Sequence, residues 1–182
     1  MRRYILTGAP GAGKTAILRR LEQDGYAVVE EAATDVIALR QAEGEAEPWT
    51  RPSFIEEVLA LQLRRRERAA ALPGGGPQVH DRSPVCTYAL ARFLGHPVPP
   101  ALSTALDRLR AGRGYEEEVF FVENLGFVAP TGARRITFEE SLRFERVHRD
   151  AYARFGHTCL PVPAGPLPER AAAVRARLAA AR

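Results

Sequence analysis

Residues 8–15 read Gly8-Ala9-Pro10-Gly11-Ala12-Gly13-Lys14-Thr15, which fits the pattern G-x-x-x-x-G-K-[ST]. This pattern restricts the fold because it makes sense only between a buried strand and a helix. Both are legible. Tyr4-Ile5-Leu6-Thr7 is a short apolar run, and helical spacing begins at Lys14 and reaches Gln23. In such a loop, successive backbone N–H groups curl around phosphate oxygens, and glycines let the backbone come close. The following helix points its positive end at the anion. The lysine reaches the β- and γ-phosphates, and the Thr hydroxyl holds Mg2+. The expected ATP-binding segment is Gly8, Ala9, Pro10, Gly11, Ala12, Gly13, Lys14, Thr15 and Ala16.

Composition gives Lys14 further weight. The chain has 26 basic residues; Lys14 is the sole lysine and the other 25 are arginine. Arginine is a planar fork, whereas lysine is a compact charge on a slim stem. A chain that uses arginine everywhere else keeps lysine where the slim ammonium is needed. The net charge of +4 permits an acidic partner without demanding one. With 182 residues, 46% hydrophobic, the chain suits one domain with a sizeable core and is too apolar for disorder. The longest strongly apolar run, Val119-Phe120-Phe121-Val122, is far below the ~20 residues of a membrane span. Basic Met1-Arg2-Arg3 is not followed by an apolar signal segment. Two cysteines, Cys86 and Cys159, are too few for a disulfide framework or a zinc site, and suit a reducing cytoplasm.

Five strands are expected, at 4–7, 26–30, 78–81, 119–122 and 157–162, each followed by helix. Helices are expected at 14–23, 33–42, from Ser53 to the Pro73-Gly74-Gly75-Gly76-Pro77 stop, from Pro84, at 100–111, from Thr137 to 155, and at 166–181. Residues 44–52 and 125–136 read as loops. Ser53 with Glu56 and Thr137 with Glu140 have capping-box spacing, and Ser83-Pro84 has the form of an N-cap followed by proline. Alternation of strand and helix builds an α/β fold, a parallel sheet covered on both faces. No domain boundary is visible, so 1–182 reads as one domain.

In open parallel sheets, ligands bind beyond the carboxyl ends of the strands. The polar residues expected there are Glu30 and Glu31 after the second strand and Asp81, Arg82 and Ser83 after the third. Glu123-Asn124 and the loop with Arg134 and Arg135 follow the fourth. Asp81 ends a strand as a Mg2+-binding acid does. Arg82 can grip a phosphoryl group or the acceptor. Glu31, or else Asp81, is the candidate general base. One of Arg134 and Arg135 can neutralise charge from a lid-like loop. Glu30, Gln62 and Trp49 are candidate substrate contacts. The run Arg64, Arg65, Arg66, Arg68 has little aromatic interleaving and is flanked by Glu56, Glu57 and Glu67, which argues against a nucleic-acid partner. Glu139–Arg143 and Glu145–Arg149 have the spacing of solvated ion pairs. The four histidines lack metal-ligand spacing, and no role is assigned to them.

The stretches 1–31 and Asp81-Arg82-Ser83-Pro84-Val85-Cys86 resemble a family of bacterial ATPases described as AAA-domain or NadR-like, after the ribosylnicotinamide kinase module of NadR. A wider resemblance is to deoxynucleoside and nucleoside monophosphate kinases. It implies a three-layer α/β/α P-loop NTPase fold of the compact kinase type, with strand order 2-3-1-4-5. It also implies Glu31 as base, Asp81-Arg82-Ser83 as the acid-Arg-Ser motif, a short arginine lid, and Gln62 as reader of a base. Kinases of that type usually have proline after the glutamate. Here it is Ala32, so nucleoside specificity is not carried over. Oligomeric AAA+ motors need a separate helical lid domain, for which 182 residues leave little room.

The expectation is an ATP- and Mg2+-dependent kinase acting on a small-molecule hydroxyl. The alternative is a nucleotide-dependent regulatory ATPase working through a protein partner. A GTPase is disfavoured because an Asn-Lys-x-Asp motif needs a second lysine.

Overall fold

A computed structural model of the protein describes residues 1–71, 76–112, 114–128 and 136–180. The strands are β1 (Arg3–Thr7), β2 (Ala27–Val29), β3 (Gln78–Asp81), β4 (Glu118–Val122) and β5 (Thr158–Val162). The helices are α1 (Lys14–Gln23), α2 (Ala33–Ala42), α3 (Ser53–Ala71), α4 (Pro84–Leu94), α5 (Pro100–Arg110), α6 (Phe138–Arg154) and α7 (Leu167–Ala180). The strands form one parallel sheet in the order β2-β3-β1-β4-β5. This is the expected kinase-like α/β arrangement. A short 3-10 turn at Pro48–Thr50 interrupts the expected 44–52 loop, because proline at its first position is already set for helical φ.

Alternation along the strands divides the core. Leu6, Phe120 and Val122 face Ile17, Leu18 and Leu21 of α1 and Val174 and Leu178 of α7. Ile5 and Val119 face the other way, into a larger cluster with Phe54, Ile55, Val85, Leu102, Leu106, Phe144 and Tyr152. A period of two puts successive side chains on opposite faces, so the central strands β1 and β4 feed both layers. Fully burying one such aliphatic side chain is worth about 1.5–3 kcal/mol.

Two helix starts behave as their sequences require. Ser83 caps α4 by accepting from the Val85 amide, with Pro84 in the first turn. Thr137 and Glu140 form the reciprocal capping box of α6. Ser53 is instead the first residue of α3, and its hydroxyl accepts from Arg51 Nη1 at 2.8 Å. The Pro73–Gly75 part of the stop after α3 lies outside the described residues.

His80 on β3 is buried against the edge of Tyr115, and its Nε2 has no partner among the described residues. Burial, with the charges of Arg3 and Arg66, lowers its pKa to about 3. The unfolded chain takes up this proton near the ordinary value of about 6.5. Folded His80 therefore contributes fully above that pH, and its contribution is lost as pH falls toward the folded value. The expected loss between pH 7 and pH 5 is about 2 kcal/mol from this group. Urea unfolding of His80→Phe should show a pH 7-to-5 loss smaller than wild type by about that amount. Equal losses would contradict the assignment.

Candidate active site

The phosphate loop connects β1, in the middle of the sheet, to α1. Its three glycines all have left-handed backbone: φ is 137° at Gly8, 84° at Gly11 and 83° at Gly13. At Gly8 the requirement is also spatial. A Cβ there would lie 2.2 Å from the carbonyl oxygen of Val122 on the neighbouring strand. Gly13 is the N-cap of α1, so the chain enters the helix with its first amides free to face an anion. Lys14 is buried and donates from Nζ to the Ala9 carbonyl at 2.9 Å, arching over its own loop. Burial, then the Arg82 charge, lowers its pKa to about 8. Thr15 is exposed and lines the adjoining cleft. Ala16 is exposed one position further on and is not part of the cleft lining.

β3 pairs with β1 so that Asp81 lies opposite Leu6, one residue before the loop-bearing end of the strand. Asp81 is buried, and its Oδ1 has no partner among the described residues. Burial, then the Glu31 charge, raises its pKa to about 6. An orphaned buried carboxylate oxygen beside a phosphate loop suits a hard cation. Mg2+ commonly takes one or two carboxylates, leaving its other positions to waters and phosphates. Asp81 and the Thr15 hydroxyl fit that donor set. No group of three or more His, Cys, Asp or Glu side chains able to hold a metal occurs among the described residues, so phosphate oxygens and waters would complete the shell.

Glu31 and Arg82 meet across the ends of β2 and β3. Arg82 Nε donates to Glu31 Oε1, and Thr34 donates to Glu31 Oε2 at 3.0 Å. Burial would raise the Glu31 pKa, but the Arg82 and Lys14 charges and these hydrogen bonds outweigh it and hold it at about 2. Arg65 braces the same turn: one guanidinium nitrogen serves the carbonyls of Glu30 and Glu31, and the other pairs with Asp35. Arg66 lies over the Tyr115 ring, so half of the 64–68 arginine run is engaged within the fold. Glu30 turns away from the cleft and pairs with Arg19 on the exposed surface. It is not brought together with the other candidates.

A cleft of about 470 Å3 opens from Gly11, Gly13, Lys14 and Thr15, past Glu31 and Arg82, to an apolar end. That end is walled by Trp49, Phe54, Leu90, Phe93, Ile136 and Phe144. Gln62 reaches it from α3, its amide oxygen accepting from Thr87 at 3.2 Å. Trp49 is half-buried on the wall. Arg134 and Arg135 lie outside the described residues, as do 129–133 of the same loop.

Two site residues have no signal in the sequence. Arg170 of α7 is 5% exposed and donates to the carbonyls of Ala12 at 2.9 Å and Glu123 at 3.0 Å. It joins the phosphate loop to the end of β4. His148 of α6 is completely buried, with Nε2 at 3.0 Å from Arg82 Nη1 and Nδ1 at 3.0 Å from the Phe144 carbonyl. Burial and the Arg82 charge hold its pKa well below the usual histidine range.

Removing the Arg170 donors would leave the buried Ala12 carbonyl unpaired, at about 1–3 kcal/mol, and the part-buried Glu123 carbonyl without its donor at a smaller cost. Arg170→Met keeps the apolar stem and should melt several degrees lower. Its Mg-ATP affinity by calorimetry should fall about tenfold, the equivalent of ~1.4 kcal/mol. Wild-type affinity in this variant would show that the loop holds its shape without the clamp.

The family described as AAA domain matches residues 3–170. No curated protein sequence matches the chain. Among solved structures, deoxyadenosine kinase from M. mycoides with products dCMP and a flexible dCDP bound superposes at TM-score 0.65 and 13% identity, covering 98% of this chain and 99% of that one. NadR protein in complex with NR superposes at TM-score 0.70 and 15% identity, covering 98% of this chain and 51% of that one. NadR with NAD and AMP-PNP gives 0.68 at 17% identity, covering 97% and 48%. The chain thus spans the whole of the first relative and about half of NadR, and at these identities the likeness shows a shared P-loop kinase-like fold. With the phosphate loop and nearly the whole chain inside the matched region, the protein belongs to the AAA-domain family.

Proposed function

We propose that the protein is an ATP-dependent phosphotransferase that moves the γ-phosphoryl group to a hydroxyl of a small molecule held in the cleft. The observation that carries this reading is the Glu31–Arg82 pair. It lines a single cleft of about 470 Å3 that the phosphate loop and a set of apolar walls share. A nucleotide switch needs the loop but has no use for a recess beyond the γ-phosphate. A kinase needs a second, water-shielded compartment for its acceptor. The aromatic walls and the Gln62 amide suit an acceptor with a flat ring and a hydroxyl arm, such as a nucleoside.

The chemistry divides among the residues as follows. The loop amides and Lys14 hold the β- and γ-phosphates. Thr15 and Asp81 would hold Mg2+, which when bound supplies further neutralisation of phosphate charge. The acceptor oxygen forms a bond to the γ-phosphorus. The bond from that phosphorus to the β,γ-bridging oxygen breaks, and ADP leaves with the electron pair. The hydroxyl proton passes to Glu31. A carboxylate at about 2 is a weak base, which suits a loose transfer that asks little activation of the nucleophile. Glu31 then chiefly orients the hydroxyl by accepting its hydrogen bond, and Arg82 bears on the migrating phosphoryl group. Catalysis of this kind is mostly positioning and electrostatics.

The test is ADP release with Mg-ATP across nucleosides, nicotinamide riboside, sugars, amino alcohols and antibiotics. One acceptor should raise turnover well above the acceptor-free rate. Glu31→Gln should lower that turnover about 10²- to 10⁴-fold with the KM for ATP little changed. Lys14→Ala should lose ATP binding. If ATP binds, no acceptor stimulates and Glu31→Gln matches wild type, the kinase reading is wrong and the regulatory ATPase takes its place.

A further inference from the structure

Arg82 is the one non-glycine residue with left-handed backbone among the described residues, at φ 74°. For an L-residue that conformation costs roughly 1–2 kcal/mol. Such strain persists only where surrounding contacts over-determine it. Here the side chain is held at two points. Nε donates to Glu31, and Nη1 lies 3.0 Å from Nε2 of His148, a residue 66 positions away in the chain.

The tautomer of His148 follows from its two neighbours independently. Its Nδ1 is 3.0 Å from the Phe144 carbonyl oxygen, which can only accept, so Nδ1 carries the hydrogen. Its Nε2 faces a guanidinium N–H, which can only donate, so Nε2 offers its lone pair. Both contacts require the same neutral ring. The ring itself is locked by packing, completely buried and 4.2 Å from Phe144 between centroids. With Nε and one Nη1 hydrogen occupied, Nη2 of Arg82 has no partner among the described residues, and Arg82 lines the cleft.

We propose that His148 is a positioning residue: its Nε2 lone pair fixes the Arg82 guanidinium so that the unpartnered Nη2 is presented to the anion held by the phosphate loop. The proposal rests on the kinase reading for its catalytic consequence. Without the acceptor atom, Arg82 stays paired to Glu31 but is free to rotate about that contact. Misplacement of about 1 Å in such a group costs up to about 10²-fold in rate.

Two substitutions separate positioning from packing. His148→Phe keeps a ring and removes the acceptor; His148→Gln keeps an oxygen acceptor on a flexible stem. His148→Phe should lower kcat with the best acceptor about 30- to 100-fold, with the KM for ATP within about threefold. His148→Gln should recover kcat to within about fivefold of wild type, with the two variants melting within about 4 °C of each other. Long-range 1H–15N spectra of the 15N-histidine-labelled protein should show His148 protonated on Nδ1 alone. This last readout needs no turnover. If no acceptor stimulates wild type, the kinase reading falls by itself, and the ring-nitrogen spectrum still decides the pairing. A proton on Nε2, a wild-type kcat in His148→Phe, or equal losses in the Phe and Gln variants would each overturn the proposal.

Discussion

The chain leaves β1 at Gly8 so close to β4 that a single methyl group would be 2.2 Å from the Val122 carbonyl. That approach fixes where the loop begins, and much of the site depends on it. It requires β1 to lie beside β4, and the order β2-β3-β1-β4-β5 provides that neighbour and places β3 on the other side of β1. The loop is thereby flanked by Asp81 at the end of β3 and Glu123 just after β4. The carbonyls of Ala12 and Glu123 then come within reach of one guanidinium, that of Arg170. Close packing of backbone against backbone, with no side chain between, converts a strand order into a rigid cradle.

The charges around the cradle shape one another. Lys14 is lowered to about 8 and Asp81 raised to about 6, both chiefly by burial, while Glu31 is held at about 2 by its cationic neighbours. Lys14 and Asp81 are thus poorly solvated in their charged forms. A phosphate beside Lys14 and a divalent cation beside Asp81 would each favour the charged form again. Glu31 differs, because Arg82 and Thr34 already satisfy its charge. The two acids at the strand ends thus sit in different surroundings. Glu31 lines the cleft, whereas Asp81 is buried beneath it with an unpartnered oxygen.

Arginine does work in this fold that a lysine could not. Arg170 serves two carbonyls from opposite Nη atoms, Arg65 serves two carbonyls and a carboxylate, and Arg82 joins an acid to an imidazole. Each role uses the planar fork, with several donors at fixed angles. The one place where a slim point charge has to arch over a tight loop keeps lysine.

The sequence by itself determined the phosphate loop, the five strands and their helices, the capping of α4 and α6, and the placing of Glu31, Asp81 and Arg82 at strand ends. These are local properties. Periodicity, glycine spacing and cap residues act within a few positions, so they can be read along the chain. Strand order was legible only through family resemblance, since no local signal says which strands pair. The tertiary structure alone decided that Glu30 pairs with Arg19 while its neighbour Glu31 turns to Arg82. A turn after a short strand leaves that choice to the partners arriving from elsewhere. His148 and Arg170 were illegible for the same reason. On paper each is a polar residue in an amphipathic helix. Each acquires its role from an atom brought to it by the fold: the Arg82 guanidinium for His148, and the Ala12 and Glu123 carbonyls for Arg170.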